Sequence, residues 1–226
     1  MALLLLLETA TTACSVGLSE NGKLLAIREI NEGFSHAENL TLFCKSVLDE
    51  IGFSFDSLDG IVLSKGPGSY TGLRIGSATA KGYCYALSIP LLSVPTLQHM
   101  ALQISKQGKF KEAFFCPMID ARRMEVYCAL YDSANKELMP TEAKIIDENS
   151  FSAVLSERVI VFFGDGAQKC KPYFEANKNA IFIDGIFPSA REMAELGEEK
   201  FKAKAFEDSA YFEPYYLKDF IAGGLK

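Results

Sequence analysis

The sequence predicts an α/β protein of two related lobes, each a mixed central sheet flanked by helices. Three observations predict it. Leu3 to Leu7 is an unbroken apolar run, the mark of a strand buried on both faces. Strand-like runs alternate with helical stripes along the chain. The pattern after about residue 107 resembles the pattern before it, as in an internal duplication. The 226 residues allow one large domain or two small ones, and the expected division is 1–106 and 107–226. With 49% apolar and 23% charged residues there is material for a sizeable core. A net charge of −6 disfavours nucleic-acid binding by the chain alone, because phosphate contacts need clustered Lys and Arg.

The opening run lacks a basic n-region and is ended early by Glu8, so it reads as a strand and not as a signal peptide. It is also far shorter than the roughly 20 residues that span a bilayer; a cytoplasmic protein without a membrane segment is expected. Cys14 to Leu18 and Leu24 to Ile30 follow as strands, joined by Glu20-Asn21-Gly22-Lys23, where Asn-Gly suits a tight hairpin. Ser35-His36-Ala37-Glu38 reads as a capping box that opens a helix. Leu40, Phe43, Cys44, Val47, Leu48 and Ile51 form its apolar stripe, and Gly52 ends it. Leu42 lies on the opposite face, where it is either an ordinary lone exposed leucine or part of a second contact surface.

After a short strand at Gly60 to Ser64, a glycine-rich loop enters a helix at about 70 to 87. Gly66, Gly68 and Ser69 are candidate anion-holding positions, since loop amides at a helix start can cradle an anion. The loop is not a P-loop and falls short of the dinucleotide fingerprint, for no ribose-binding acid follows. Gly72, Gly76 and Ala80 stand four apart on one helix face. Such a face admits another backbone, either the chain's own sheet or a partner's helix. Residues 60 to 111 hold no Asp or Glu but carry Lys65, Arg74, Lys81, Lys106, Lys109 and Lys111. This stretch either forms a positive surface or spreads its charges over several faces. Leu91 to Val94 is a strand, Thr96 to Lys106 a helix, and Lys106-Gln107-Gly108-Lys109 the boundary.

The second half opens with strands at Ala113 to Ile119, ended by Asp120, and at Glu125 to Tyr131. A polar turn at Asp132 to Lys136 leads to a third extended segment. Val159 to Phe163 is a buried strand closed by Gly164-Asp165-Gly166. Ser189 to Ala203 reads as helical and Tyr211 to Lys218 as extended. Glu8, Asp120 and Asp165 all end strands near turns, where acids either bind a metal–nucleotide or cap turn amides. The two histidines, His36 and His99, have no metal-ligand spacing, and there is no G-x-S-x-G elbow. None of the six cysteines forms a C-x-x-C pair, so scattered free thiols are expected. No catalytic set, metal site or cofactor is complete.

Several segments together resemble the bacterial TsaB family, from residue 3 to about 218. They are Leu7-Glu8-Thr9-Ala10-Thr11 with Cys14-Ser15-Val16-Gly17-Leu18; Ser35-His36-Ala37-Glu38-Asn39-Leu40; Gly66-Pro67-Gly68-Ser69-Tyr70-Thr71-Gly72-Leu73-Arg74-Ile75-Gly76 with Ala78-Thr79-Ala80-Lys81-Gly82; Ile119-Asp120-Ala121-Arg122-Arg123-Met124-Glu125-Val126-Tyr127; and Pro214-Tyr215-Tyr216-Leu217-Lys218. The glycine-rich run is the most specific of these. The resemblance implies an actin-like ATPase (ASKHA, ribonuclease H-like) fold. It implies a non-catalytic subunit in making threonylcarbamoyladenosine at position 37 of tRNAs. The implied partners are the paralogue TsaD, which carries the H-x-x-x-H metal site missing here, and the ATPase TsaE, with tRNA reached only through the complex. The older glycoprotease label of the superfamily is not supported by these residues.

The family contact implies an interface on the helices at about 35–51 and 70–87, here with His36, Leu40, Phe43, Val47, Tyr70, Gly72, Leu73, Gly76 and Ala80. A homodimer through the same helices is a further expectation. A bulky charged residue at Leu73 or Gly76 is expected to break the complex without unfolding the chain. Glu8 stands where the family often has aspartate, and Ala37 where it has serine. The alternatives are a stand-alone nucleotide-binding phosphotransferase or hydrolase of the same fold, carried by Glu8, Asp120 and the Gly66–Ser69 loop, or an inactive glycoprotease-like homologue.

Overall fold

Five leucines in β1 (Leu3–Glu8) alternate between two apolar layers, which makes this strand the centre of the first sheet. Leu3, Leu5 and Leu7 join one cluster, Leu4 and Leu6 another. At about 1.5–3 kcal/mol for each fully buried side chain, no surface position competes for this run. The computed structural model describes residues 2–31, 33 and 36–218. β1 pairs antiparallel with β2 (Cys14–Glu20), and β2 with β3 (Lys23–Ile30). Asn21 and Gly22 take the positive φ values that the tight hairpin requires. β4 (Gly60–Ser64) and β5 (Leu91–Val94) then add in parallel, giving the order β3-β2-β1-β4-β5.

The second sheet repeats that plan. β6 (Phe114–Asp120), β7 (Glu125–Tyr131) and β8 (Glu137–Ile145) are antiparallel; β9 (Ile160–Phe163) and β10 (Ala180–Ile183) add in parallel. Its order, β10-β9-β6-β7-β8, is the order of the first sheet read from the other end. Antiparallel strands need only hairpins, whereas each parallel addition needs a crossover, and helices supply it. α1 (His36–Ile51) and α2 (Tyr70–Leu87) serve the first sheet; α4 (Ser152–Leu155) and α5 (Ala167–Phe174) serve the second.

The remaining two helices cross over. α3 (Thr96–Ser105) follows the first sheet but lays Leu97, Met100, Ala101 and Ile104 against Phe115, Ile119 and Tyr131 of the second. α6 (Met193–Lys202) follows the second sheet but lays Met193, Ala194 and Leu196 against Leu4, Leu6 and Val62 of the first. It is introduced by a short 3-10 turn, Ala190–Glu192, which Ser189 caps by accepting from the Arg191 amide at 3.1 Å. Each sheet is thus covered on one face by its own helices and on the other by a helix from elsewhere in the chain.

Most expected elements are present, and two of the readings differ from the structure. α5 and β10 carried no clear signal: Pro172 interrupts the helical pattern, and the strand is four residues long. Tyr211–Lys218 forms no strand; it runs as an irregular strap held at points, with Phe212 in the core and the Tyr215 amide donating to the Lys65 carbonyl at 2.7 Å. The capping box involves Ser35, which lies outside the described residues. All six cysteines are free and buried.

Candidate functional site

The end of β1 is sealed. Glu8 is fully buried, and its two carboxylate oxygens accept from the Ala10 amide at 2.5 Å and from His99 Nε2 at 2.7 Å. His99, on α3, is also fully buried. Ser64 Oγ lies 3.4 Å from the same Nε2 and 2.7 Å from Thr96 Oγ1. Serine, histidine and acid are therefore close together, but not as a nucleophilic triad. A triad needs Nδ1 turned to the acid and Nε2 to the serine. Here Nε2 serves the acid, and Nδ1 has no hydrogen-bond partner among the described residues. Burial pushes the Glu192 carboxyl up, with the charge of the same histidine pulling it partly back. Thiol chemistry is also closed: burial pushes Cys14, Cys84 and Cys170 up to about 11 and Cys44 up to about 12, so none is a thiolate at neutral pH.

The glycine-rich loop packs on this sealed end. The Ser69 amide donates to the Ala10 carbonyl at 2.6 Å, and the Gly66 amide to Thr96 Oγ1 at 3.1 Å. A Cβ on Gly68 would lie 2.1 Å from the Ala10 carbonyl oxygen. Two of the amides that an anion would need are thus engaged within the chain. Ser69 caps α2 by accepting from the Gly72 amide at 3.3 Å.

The small-residue face of α2 meets the same strand end. A Cβ on Gly72 would lie 2.1 Å from the Thr9 carbonyl oxygen, and one on Gly76 2.3 Å from Thr9 Oγ1. Thr9 Oγ1 in turn donates to the Gly72 carbonyl at 2.8 Å. The backbone that comes close is the chain's own. Leu40, Val47 and Ala80 belong to the core under the first sheet, and Leu73 is 1% exposed. His36 is buried at the start of α1, its Nε2 donating to the Thr11 carbonyl at 2.8 Å. Of the expected contact residues, only Phe43 and Tyr70 reach the surface, both half-buried. This corrects the expectation for Leu73 and Gly76: a bulky charge there would strike the core before it met a partner. The outward faces of the two helices carry other residues. Leu42 on α1 is 65% exposed and Tyr85 on α2 89% exposed, while Gly82 has open space where a Cβ would stand.

The end of β6 is open. Asp120 accepts from the Arg122 amide at 2.7 Å and from Lys169 Nζ at 2.6 Å, and its own amide donates to Asp165 at 2.9 Å. Asp120 and Asp165 are thus brought together, and Glu8 stands apart from them. Beside them a cavity of about 340 Å3 is lined by Thr11, Thr12, Asn31, Gln168 and the acids Asp165 and Asp184. Its charged lining is acidic, which disfavours a polyphosphate there. Among the described residues no group of three His, Cys, Asp or Glu side chains could hold a metal ion, and no helix is long and apolar enough to cross a membrane. The six bases of 60–111 go to different elements: Arg74 and Lys81 to α2, Lys106 to an ion pair with Glu195.

The family described as "TsaD: tRNA N6-adenosine threonylcarbamoyltransferase" matches residues 33–223. The Bacillus subtilis TsaB protein is 30% identical over 162 residues, 69% of each chain. The chain belongs to this family, in its TsaB branch. The Escherichia coli TsaB protein is 27% identical over 97% of this chain and 96% of its own length. A solved Pseudomonas aeruginosa protein, described as similar to peptidase YeaZ, superposes with a TM-score of 0.81. It is 25% identical over 96% of this chain and all of its own. The two repeated sheets, exchanged helices and family match identify the actin-like ATPase fold.

Proposed function

We propose that the chain is an accessory subunit in tRNA threonylcarbamoyladenosine biosynthesis, which binds and activates the TsaD-type transferase and works with the TsaE-type ATPase. The observation that carries this reading is the combination of an exposed apolar helical face with a sealed strand end. Leu42 and Tyr85 stand out from α1 and α2, while Glu8, His99 and Ser64 are buried in an arrangement unfit for nucleophilic chemistry. Leu42 and Tyr85 are exposed apolar side chains on two helices that touch each other, and large apolar side chains left in solvent are candidates for a protein contact. The names of the Escherichia coli and Bacillus subtilis relatives, tRNA threonylcarbamoyladenosine biosynthesis proteins, support the pathway. The interface in this reading lies on the outward faces of the two helices, with Phe43 and Tyr70 at its edge and the buried set beneath giving it shape. A cytoplasmic location and a division near 106/107 go with this role.

The test is an omission assay. TsaC-type synthase, TsaD, TsaE, ATP, threonine, bicarbonate and unmodified tRNA are combined with and without the chain. The expected result is modification that depends on it. A Leu42→Asp/Tyr85→Asp variant is expected to keep its melting temperature, lose co-elution with TsaD and lose that support. Full modification without the chain would remove the accessory role. Co-elution unaffected by the variant would move the interface elsewhere.

A further inference from the structure

The turn between β6 and β7 carries two adjacent arginines, Arg122 and Arg123, both in the left-handed backbone region at φ +71° and +50°. This is uncommon for any residue but glycine, asparagine or aspartate. Five other described non-glycine residues take positive φ, each without a non-glycine neighbour in that region, and two of them are asparagines. Strain of this kind persists where the rest of the structure holds it, and it gathers at functional sites. Here Asp120 holds it by accepting the Arg122 amide.

Both arginines are exposed. The acids around them are already engaged: Lys169 pairs with Asp120 and Lys218 with Glu125. Neither arginine guanidinium has an ion-pair partner among the described residues. The tip therefore presents two planar, five-donor groups that no described acid pairs, on a turn held by Asp120. Guanidinium matches phosphate oxygens in geometry as well as charge. An exposed tip is open to the backbone of a large polyanion, while the nearby cavity is lined by Asp165 and Asp184 and disfavours a free nucleotide.

We propose that the Arg122–Arg123 tip contacts phosphodiester groups of RNA. The proposed function names tRNA as their source, and to that extent this proposal rests on it; a chain of net charge −6 binds RNA weakly by itself, so the contact of this local cationic pair is read at low salt, without the assembled machinery. Labelled tRNA is titrated with the full chain over a series of salt concentrations, as wild type, Arg122→Asn/Arg123→Gly, and Arg122→Lys/Arg123→Lys. The first variant suits the left-handed backbone better, and its melting temperature is expected to rise by about 2–4 °C. Its tRNA affinity is expected to fall roughly tenfold at the lowest salt, and the slope of log affinity against log salt to shrink by about 1–2. The lysine pair keeps the charge and the strain, so its slope and melting temperature should stay near wild type.

Equal slopes for wild type and the Asn/Gly variant would overturn the proposal. So would a wild-type chain that binds no tRNA at the lowest salt. Loss of ATP binding or of co-elution with TsaD, with tRNA binding intact, would reassign the arginines to a nucleotide or a protein contact. A failed accessory role would appear in the omission assay and leave these slopes unchanged.

Discussion

The two lobes end their first strand in the same way and surround that end in opposite ways. β1 ends at Glu8 and β6 at Asp120, at equivalent places in two sheets of the same order. Glu8 is walled in by α3, the glycine-rich loop and the start of α2. Asp120 stands in the open, bridged by Lys169 and flanked by two exposed arginines. A duplicated corner thus serves the core in one lobe and the surface in the other. An acid at a strand end carries no role by itself; what packs over it decides.

Five single substitutions and one double variant test this contrast. The largest effect is expected at the sealed corner. His99→Leu leaves Glu8 buried without its partner and should cost about 3–5 kcal/mol in urea unfolding. Glu8→Leu/His99→Leu should cost less than the single change, because no uncompensated charge remains. A double variant that is worse than His99→Leu would count against the pair as a buried unit.

Next come two glycines of α2 with opposite signs. Gly72→Ala places a methyl against the Thr9 carbonyl. It should destabilise by about 1–3 kcal/mol despite the better helix propensity of alanine. Gly82→Ala meets open space and should stabilise by about 0.5–1 kcal/mol. Thermal melts of both would show whether the small-residue face is set by the sealed strand end.

A smaller effect, with a pH signature, belongs to Glu192. Its carboxyl is held above the ordinary value near 4.5 by burial. A raised folded value means that the folded state binds the proton more tightly than the unfolded one. The associated stability is present below pH 4.5 and is lost as pH rises through the folded value. Glu192→Gln should therefore raise the melting temperature at pH 7–8, by less than about 4 °C, and give no gain near pH 4. A gain that is constant with pH would point to packing instead. The smallest effect is expected at the open corner: Lys169→Ala breaks its ion pair with Asp120 at a cost under about 1 kcal/mol. A cost equal to that of His99→Leu would erase the contrast between the lobes.

The sheets and the large helices were legible because their residues repeat at fixed spacing: five leucines in a row, a stripe from Leu40 to Ile51, an Asn-Gly hairpin. The duplication was legible as order alone. The site was less so. The Glu8–His99 pair joins residues 91 apart, and no local pattern links them. The stripe of Gly72, Gly76 and Ala80 was visible, but periodicity does not say what a face touches, and it touches Thr9. The family resemblance also drew attention to Leu40, Val47 and Leu73, which the core takes for itself. Leu42 and Tyr85 are the most exposed large apolar residues of these helices; Leu42 was legible as lying off the stripe, and Tyr85 carried no signal. The Arg122–Arg123 backbone had no signal, because arginine is the last residue from which a left-handed turn would be read.

The exchanged helices bear on the order in which the chain can be completed. Leu4, Leu6, Val62, Leu92 and Val94 form one face of the first sheet, and the helix that covers them is Met193–Lys202. On a ribosome that face waits for roughly 100 further residues, or about 5–20 seconds at ordinary synthesis rates. A chain stopped before Met193 would leave it bare, a flat leucine-rich surface without its cover. Premature stops between β5 and Met193 are therefore expected to yield aggregated protein in place of a shortened, working one.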